Sequence, residues 1–257
     1  DKRLPRWNIF YLLNLKKIIK NYDFSHAYDL QNSSRTSFYR KYLFNIPNWS
    51  STETVLKKEK IKNNFDQEPV LERFKFQLNR SNVKSKYTLN PDFSWACANV
   101  NTLIKKYITK KFILIFPFSS PQLPHKQWPH YNDLIKIIKS RHNDFEIAIA
   151  PGPNEIKEAS KIDAISITNN NQALNIMELS GLIKQASFII ANDTGPAHMA
   201  AHLGMSGIVL FGHHTTPKKV SIETVKFKAI KVENLADLSA NYVYSTINNH
   251  LKLIMSN

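Results

Sequence analysis

The segment Phe188-Ile-Ile-Ala-Asn-Asp-Thr-Gly-Pro-Ala-His-Met-Ala-Ala-His-Leu-Gly204 leads from an apolar strand into a helix through a turn carrying Asp193, Thr194 and Gly195. Pro196 suits the first helical position, where its missing N–H costs nothing. Gly195 removes the side chain that would hold a ligand away from the backbone. A helix N-terminus offers unpaired amides and about half a positive charge, so a phosphate placed there gains roughly 0.3–1 kcal/mol from the dipole besides its hydrogen bonds. His198 stands one turn into the same helix and faces the same mouth. The chain has only six glycines, and four of them (Gly195, Gly204, Gly207, Gly212) fall within eighteen positions, so backbone freedom is concentrated at this turn. Each residue alone reads as an ordinary helix cap or stop. Together they point to an anion-binding turn.

The elements that must position this turn read as alternating strands and helices from Lys110 onward. Strands are predicted over 112–116, 145–150, 164–168, 187–191, 207–211 and 225–232. Helices are predicted over 129–140, with Tyr131, Leu134, Ile135 and Ile138 on one face, after Gly152-Pro153, from the cap Asn175 to about Ala186, over 196–203 and over 235–254. Glu178, three residues after Asn175, completes a capping box. This is the pattern of a doubly wound α/β domain, in which ligands bind at the carboxyl edge of the strands. Before Lys110, Ile9, Leu12, Leu13, Ile18 and Ile19 mark an amphipathic helix, 24–30 suits a strand, 33–44 a helix, and 48–90 partial helices and loops. A helix over 91–107 leads to a linker near Ile108 to Lys111, giving an N-terminal domain at 1–109 and a C-terminal domain at 110–257.

Charge divides along the same line. Residues 1–111 hold 22 Lys or Arg against 9 Asp or Glu, a net +13, whereas 112–257 hold 13 against 11, a net +2. Such a field suits nucleic acid, anionic lipid or a phosphorylated glycan. No stretch reaches the ~20 consecutive apolar residues a bilayer span needs. Cys97, the lone cysteine, excludes an intramolecular disulfide and a Cys-based zinc cluster, favours a reducing compartment, and reads as a small buried residue on a helix. The opening Asp1-Lys2-Arg3-Leu4-Pro5-Arg6 lacks an initiator Met and an apolar leader, and is expected to begin partway into a longer protein.

Asn192-Asp-Thr-Gly-Pro-Ala-His-Met-Ala-Ala-His-Leu-Gly204 followed by Val209-Leu-Phe-Gly212 resembles the signature of family 9 glycosyltransferases, the group that includes the ADP-heptose transferases of lipopolysaccharide synthesis. Phe116-Pro-Phe-Ser-Ser120 with Lys126-Gln-Trp-Pro129 resembles a second family segment, and Tyr28-Asp-Leu-Gln-Asn-Ser-Ser-Arg35 a third. The resemblance implies a GT-B fold of two Rossmann-like α/β domains facing a cleft. It also implies inverting transfer of a heptose or similar sugar from ADP to a lipopolysaccharide inner-core acceptor.

By the same resemblance, Thr194 and Gly195 hold the diphosphate, Asp193 fixes the loop or a sugar hydroxyl, and His198 supports it. Lys126 stabilises the departing diphosphate, with Ser119 and Ser120 as hydroxyl donors. Glu155 matches a ribose-binding glutamate, Leu174 a backbone contact to adenine, and Arg35 a residue facing the acidic acceptor. The family's general base falls upstream of Asp1, so its identity here is unknown. Where relatives commonly show Pro-Thr-Asp, this chain has His213-His214-Thr215-Thr216-Pro217. The implied partners are an ADP-sugar, an acidic lipid-linked glycan like Kdo-lipid A and an anionic membrane surface, with the protein cytoplasmic and peripheral at the inner membrane and no nucleic acid bound.

No cofactor or metal is implied. The chain has no Asp-x-Asp, no Gly-x-Gly-x-x-Gly and no Walker sequence, and His213-His214 are adjacent rather than four apart. Two other readings are a noncatalytic nucleotide-binding relative of this fold and a basic nucleic-acid-binding protein. The latter predicts aromatics interleaved with Lys and Arg and steeply salt-dependent binding.

Overall fold

The computed structural model describes residues 8–56 and 62–256, so Asp1 to Arg6 lie outside the described residues. The chain forms two compact units, Asp1–Leu89 and Asn90–Asn257. In the first, α1 (Ile9–Lys20) begins at Asn8, whose side chain accepts from the Tyr11 amide. Then follow β1 (His26–Tyr28), α2 (Ser34–Phe38) running on into a π-helical turn (Tyr39–Leu43), β2 (Asn48–Ser50) and α3 (Val70–Arg80). The two strands pair in parallel, His26 opposite Asn48. Gln77 of α3 is buried and its Nε2 donates to the carbonyls of Asp29 and Ser50, both 3.0 Å away, so one amide ties the carboxyl ends of both strands together. The periodicity that predicts α1 does not bury it, since Ile9, Phe10, Leu13 and Ile18 are exposed.

The second unit carries β3 (Lys111–Phe116), α4 (Tyr131–Arg141), β4 (Phe145–Ile149), β5 (Ile165–Ser166), α5 (Ile176–Gln185), β6 (Phe188–Asn192), α6 (Gly195–His202), β7 (Gly207–Phe211), β8 (Phe227–Lys231) and α7 (Ala240–Ser256). All six strands are parallel, in the order β5-β4-β3-β6-β7-β8, with Ile113 opposite both Ile147 and Phe188, and Ile190 opposite Ile208. Burial on both faces explains the continuous apolar runs. Ile113 and Ile115 face the layer of α4 and α7, while Phe112, Leu114 and Phe116 face α5 and α6. The predicted face of α4 is fully buried, and the capping box forms, with Asn175 accepting from the Glu178 amide and Glu178 accepting from the Asn175 amide. The strand order reverses between β3 and β6. In open α/β sheets, that switch point is where ligands sit.

Two expectations are corrected. Residues 91–107 do not form one helix but a 3-10 turn (Ser94–Ala96) and a short helix (Asn101–Ile104), with Cys97 half-buried after the turn. The segment follows the second unit instead of its own helical period. Ala98 N–H donates to Met177 O at 2.9 Å, Tyr107 Oη donates to Thr168 O at 2.9 Å, and Val100 and Ile108 are buried in the α5–α6 layer. For the same reason the units divide at 89/90, twenty residues before the expected boundary at 109/110.

The approach of this segment to α5 depends on Gly181, where a Cβ would press into the Ala98 carbonyl and lie 3.3 Å from Val100 Cγ2. Gly181→Ala is expected to destabilise the protein by about 1–3 kcal/mol, the usual cost of overpacking. Urea unfolding measures it, and an unchanged midpoint would show that this seam yields freely.

Candidate functional site

The loops after β3 and β6 meet at the switch point, and each brings one charge. Lys126 ends a 3-10 turn (Pro124–Lys126), and its Nζ donates to Asp193 Oδ2 at 2.7 Å, with side chains 20% and 6% exposed. Asn192, the last residue of β6, holds the two loops in register. It is fully buried, its Nδ2 donates to Pro117 O at 2.7 Å, and its Oδ1 accepts from Tyr131 Oη at 3.0 Å and Trp128 N–H at 3.3 Å. Trp128 is in turn pinned by an indole hydrogen bond to Leu238 O, 2.8 Å long. The residue two places before Trp128 is Lys126, so its backbone inherits that rigidity.

Two histidines complete the shell around the carboxylate. His214, in the loop after β7, places Nε2 2.9 Å from Asp193 Oδ2, and His198 of α6 places Nε2 3.4 Å from Oδ1. Burial alone would raise the Asp193 pKa, but hydrogen bonds from His198, Lys126 and His214 outweigh it and hold the carboxyl well below the ordinary carboxylate range. Asp193 is therefore a fixed negative charge and a poor proton acceptor, suited to orienting a cation rather than to general-base work. Burial also lowers the pKa of His214, against the opposing pull of Asp193, and lowers that of His202 with His198 adding to it.

Of the residues singled out in the sequence, Lys126, Asp193 and His198 come together. Gly195 begins α6 with nothing among the described residues within 4 Å of where a Cβ would stand. The helix start offers fewer free amides than its sequence suggests, because the Ala197 and His198 amides both turn back to Thr194 O, at 3.1 and 3.3 Å. The Thr194 hydroxyl also points inward, donating to Asn192 O at 3.3 Å. Ser119 Oγ donates to Leu123 O at 3.1 Å within the loop after β3, and Ser120 is exposed beside it. Glu155 accepts from the Gly152 amide at 2.7 Å in the turn after β4, and Leu174 packs on the core after β5. Arg35 belongs to α2 in the first unit.

Sequence reasoning missed the parts played by Asn192 and His214. For His214 the signal was topological: in a parallel sheet the loop after β7 must emerge beside the loop after β6, its neighbour. His125 joins it, its ring centroid 5.7 Å from that of His213 and 5.6 Å from that of His214.

The family model for glycosyltransferase family 9 (heptosyltransferase) matches residues 12–237. The chain belongs to glycosyltransferase family 9. Among curated proteins, the lipopolysaccharide core heptosyltransferase OpsX of Haemophilus influenzae is 28% identical over 111 residues, which is 41% of this chain and 31% of that protein. The chain thus aligns with about a third of that relative's length. Among solved structures, E. coli heptosyltransferase WaaC with ADP aligns with a TM-score of 0.65 at 14% identity, covering 94% of this chain and 77% of that one. E. coli ADP-heptose lps heptosyltransferase II aligns at 0.65 and 16% identity, covering 95% and 82%. The family 9 glycosyl transferase of Veillonella parvula aligns at 0.69 and 14% identity, covering 98% and 81%. The shared architecture is the α/β GT-B fold of family 9, as the signature residues implied.

The Asp193 pKa fixes a pH dependence. A carboxyl with a depressed folded-state pKa contributes stability that is fully present above its unfolded value, near 4, and is lost as pH falls through the folded value. Asp193→Asn is expected to lower stability at pH 7 by about 1.5–3 kcal/mol, the range for hydrogen bonds to charged groups. The gap to wild type should begin to narrow as the pH falls below 4 and close only through the much lower folded-state value. Denaturant curves at pH 7 and pH 3 test this, and a gap independent of pH would show that the carboxylate charge contributes nothing.

Proposed function

We propose that this protein transfers a heptose or similar sugar, with inversion, from an ADP-sugar to the inner core of a lipopolysaccharide acceptor. The observation that carries this reading is the Lys126–Asp193 pair at the carboxyl edge between β3 and β6, beside the open start of α6. Glycosyl transfer builds negative charge on the departing diphosphate. A fixed cation there stabilises the transition state more than the ground state.

In this scheme the second unit binds the donor. The diphosphate lies at the Gly195 amide and the Thr194 hydroxyl, which turns out from Asn192 to meet it, with Ser119 and Ser120 alongside. Lys126 has three N–H donors, so it can keep one on Asp193 and turn others to the leaving phosphate. Glu155 and Leu174, after β4 and β5 on the same edge, bind ribose and base. A general base takes the proton from the acceptor hydroxyl while its oxygen attacks the anomeric carbon on the side opposite the diphosphate.

The first unit takes the acceptor. Arg35 and the net +10 of residues 1–89, 18 Lys or Arg against 8 Asp or Glu, suit an acidic lipid-linked glycan and an anionic membrane surface, each Lys or Arg near such a surface being worth about 1 kcal/mol. Among the described residues, no helix is long and apolar enough to cross a membrane. The protein would then work as a peripheral enzyme at the cytoplasmic face of the inner membrane. The E. coli relative solved with ADP and that solved with ADP-2-deoxy-2-fluoro heptose favour adenine as the donor base.

Calorimetric titration with ADP, UDP and GDP tests the reading. ADP is expected to bind most tightly, and Lys126→Ala to weaken it at least tenfold, about 1.4 kcal/mol or more. Equal, weak binding of all three nucleotides, indifferent to Lys126→Ala, would contradict it.

A further inference from the structure

Lys126 has two demands on it in the reading above. Its ammonium sits 2.7 Å from a carboxylate that is almost wholly buried, and it must swing its other protons toward a diphosphate without leaving that carboxylate unanswered. A cation drawn off a buried carboxylate leaves an uncompensated charge behind, and that penalty holds the cation in place. A second donor on the same oxygen lowers that penalty and lets the ammonium turn.

His214 is that donor. Its Nε2 lies 2.9 Å from Asp193 Oδ2, the oxygen Lys126 uses, while His198 takes Oδ1. We propose that His214 is a positioning residue that keeps Asp193 Oδ2 satisfied as Lys126 turns its protons to the donor diphosphate. The inference rests on the functional reading above and adds a residue to it.

The ring is built to stay put and to stay neutral. It stacks on Phe211, the last residue of β7, with centroids 5.8 Å apart and planes 14° apart, and the His125 ring closes another side. Because a carboxylate only accepts, Nε2 carries the proton. Nδ1 is buried with no hydrogen-bond partner among the described residues, so a second proton there would be an unsatisfied buried donor. The groups that bear on the ring's charge are Asp193, which favours protonation, and Lys126 and His125, which oppose it along with burial. A neutral donor suits the task. It can hold the carboxylate without competing with Lys126 for the phosphate.

Two substitutions separate the hydrogen bond from the packing. His214→Phe keeps a ring on Phe211 but removes the N–H, and His214→Gln supplies a neutral N–H of similar reach. ADP affinity is expected to fall about tenfold in the Phe variant, as when one charge-assisted hydrogen bond is lost, and to recover to within about threefold of wild type in the Gln variant. A role exercised through Lys126 further predicts that His214→Phe costs no additional affinity in a Lys126→Met background.

Unchanged ADP affinity in His214→Phe, or the same tenfold loss with and without Lys126, would overturn the proposal. Should the Phe variant fail to fold, ring ¹⁵N shifts of His214 in the wild-type protein with ADP decide it: a neutral Nε2–H ring supports the proposal and a doubly protonated ring defeats it. Wild-type protein that binds no ADP at all would instead remove the functional reading on which the inference stands.

Discussion

A single ion pair, Lys126 to Asp193, sets the terms for the rest of the second unit. A carboxylate 6% exposed survives inside a protein only when its charge is answered, and here three donors answer it from two loops and a helix. The loop after β3 supplies Lys126, the helix after β6 supplies His198, and the loop after β7 supplies His214. None of these is near another in sequence except through the sheet. The parallel order β3-β6-β7 places their carboxyl ends side by side, and the pair is the chemical expression of that order.

The neighbouring architecture works to keep the pair where it is. Asn192 has no exposure, and its amide bonds the Pro117 carbonyl, the Trp128 N–H and the Tyr131 hydroxyl, tying the end of β6 to the loop after β3 and to the start of α4. A buried polar network of this kind is expensive to break. The low pKa of Asp193 follows from the same arrangement, since each donor that positions the carboxylate also favours its charged form. Site geometry and local stability therefore share the same hydrogen bonds.

Much of this was legible in the residues, for reasons that differ by element. The apolar runs at 112–116, 187–191 and 207–211 read as strands because a doubly covered parallel sheet buries both faces, and Asn175 with Glu178 marked a helix start through purely local bonds. The segment 91–107 departs from its helical period because its apolar residues answer to α5 and the α5–α6 layer, a tertiary demand that periodicity does not contain. The helix α1 was legible as a helix, but its exposed Phe10 and Leu13 were not, since periodicity predicts a face and not what covers it. Within the site, Asp193, Gly195 and His198 stood in one motif and Lys126 in another, whereas the Asp193–His214 contact spans 21 positions and arises only when β6 and β7 become neighbours.

The most direct test of the account is a crystal structure of this protein soaked with ADP. The diphosphate is expected at the carboxyl edge between β3 and β6, its oxygens within hydrogen-bond reach of Lys126 Nζ and the Gly195 amide, with Asp193 still held by His214 and His198. ADP bound elsewhere on the protein, or at that edge with Lys126 turned away from the phosphates, would contradict it.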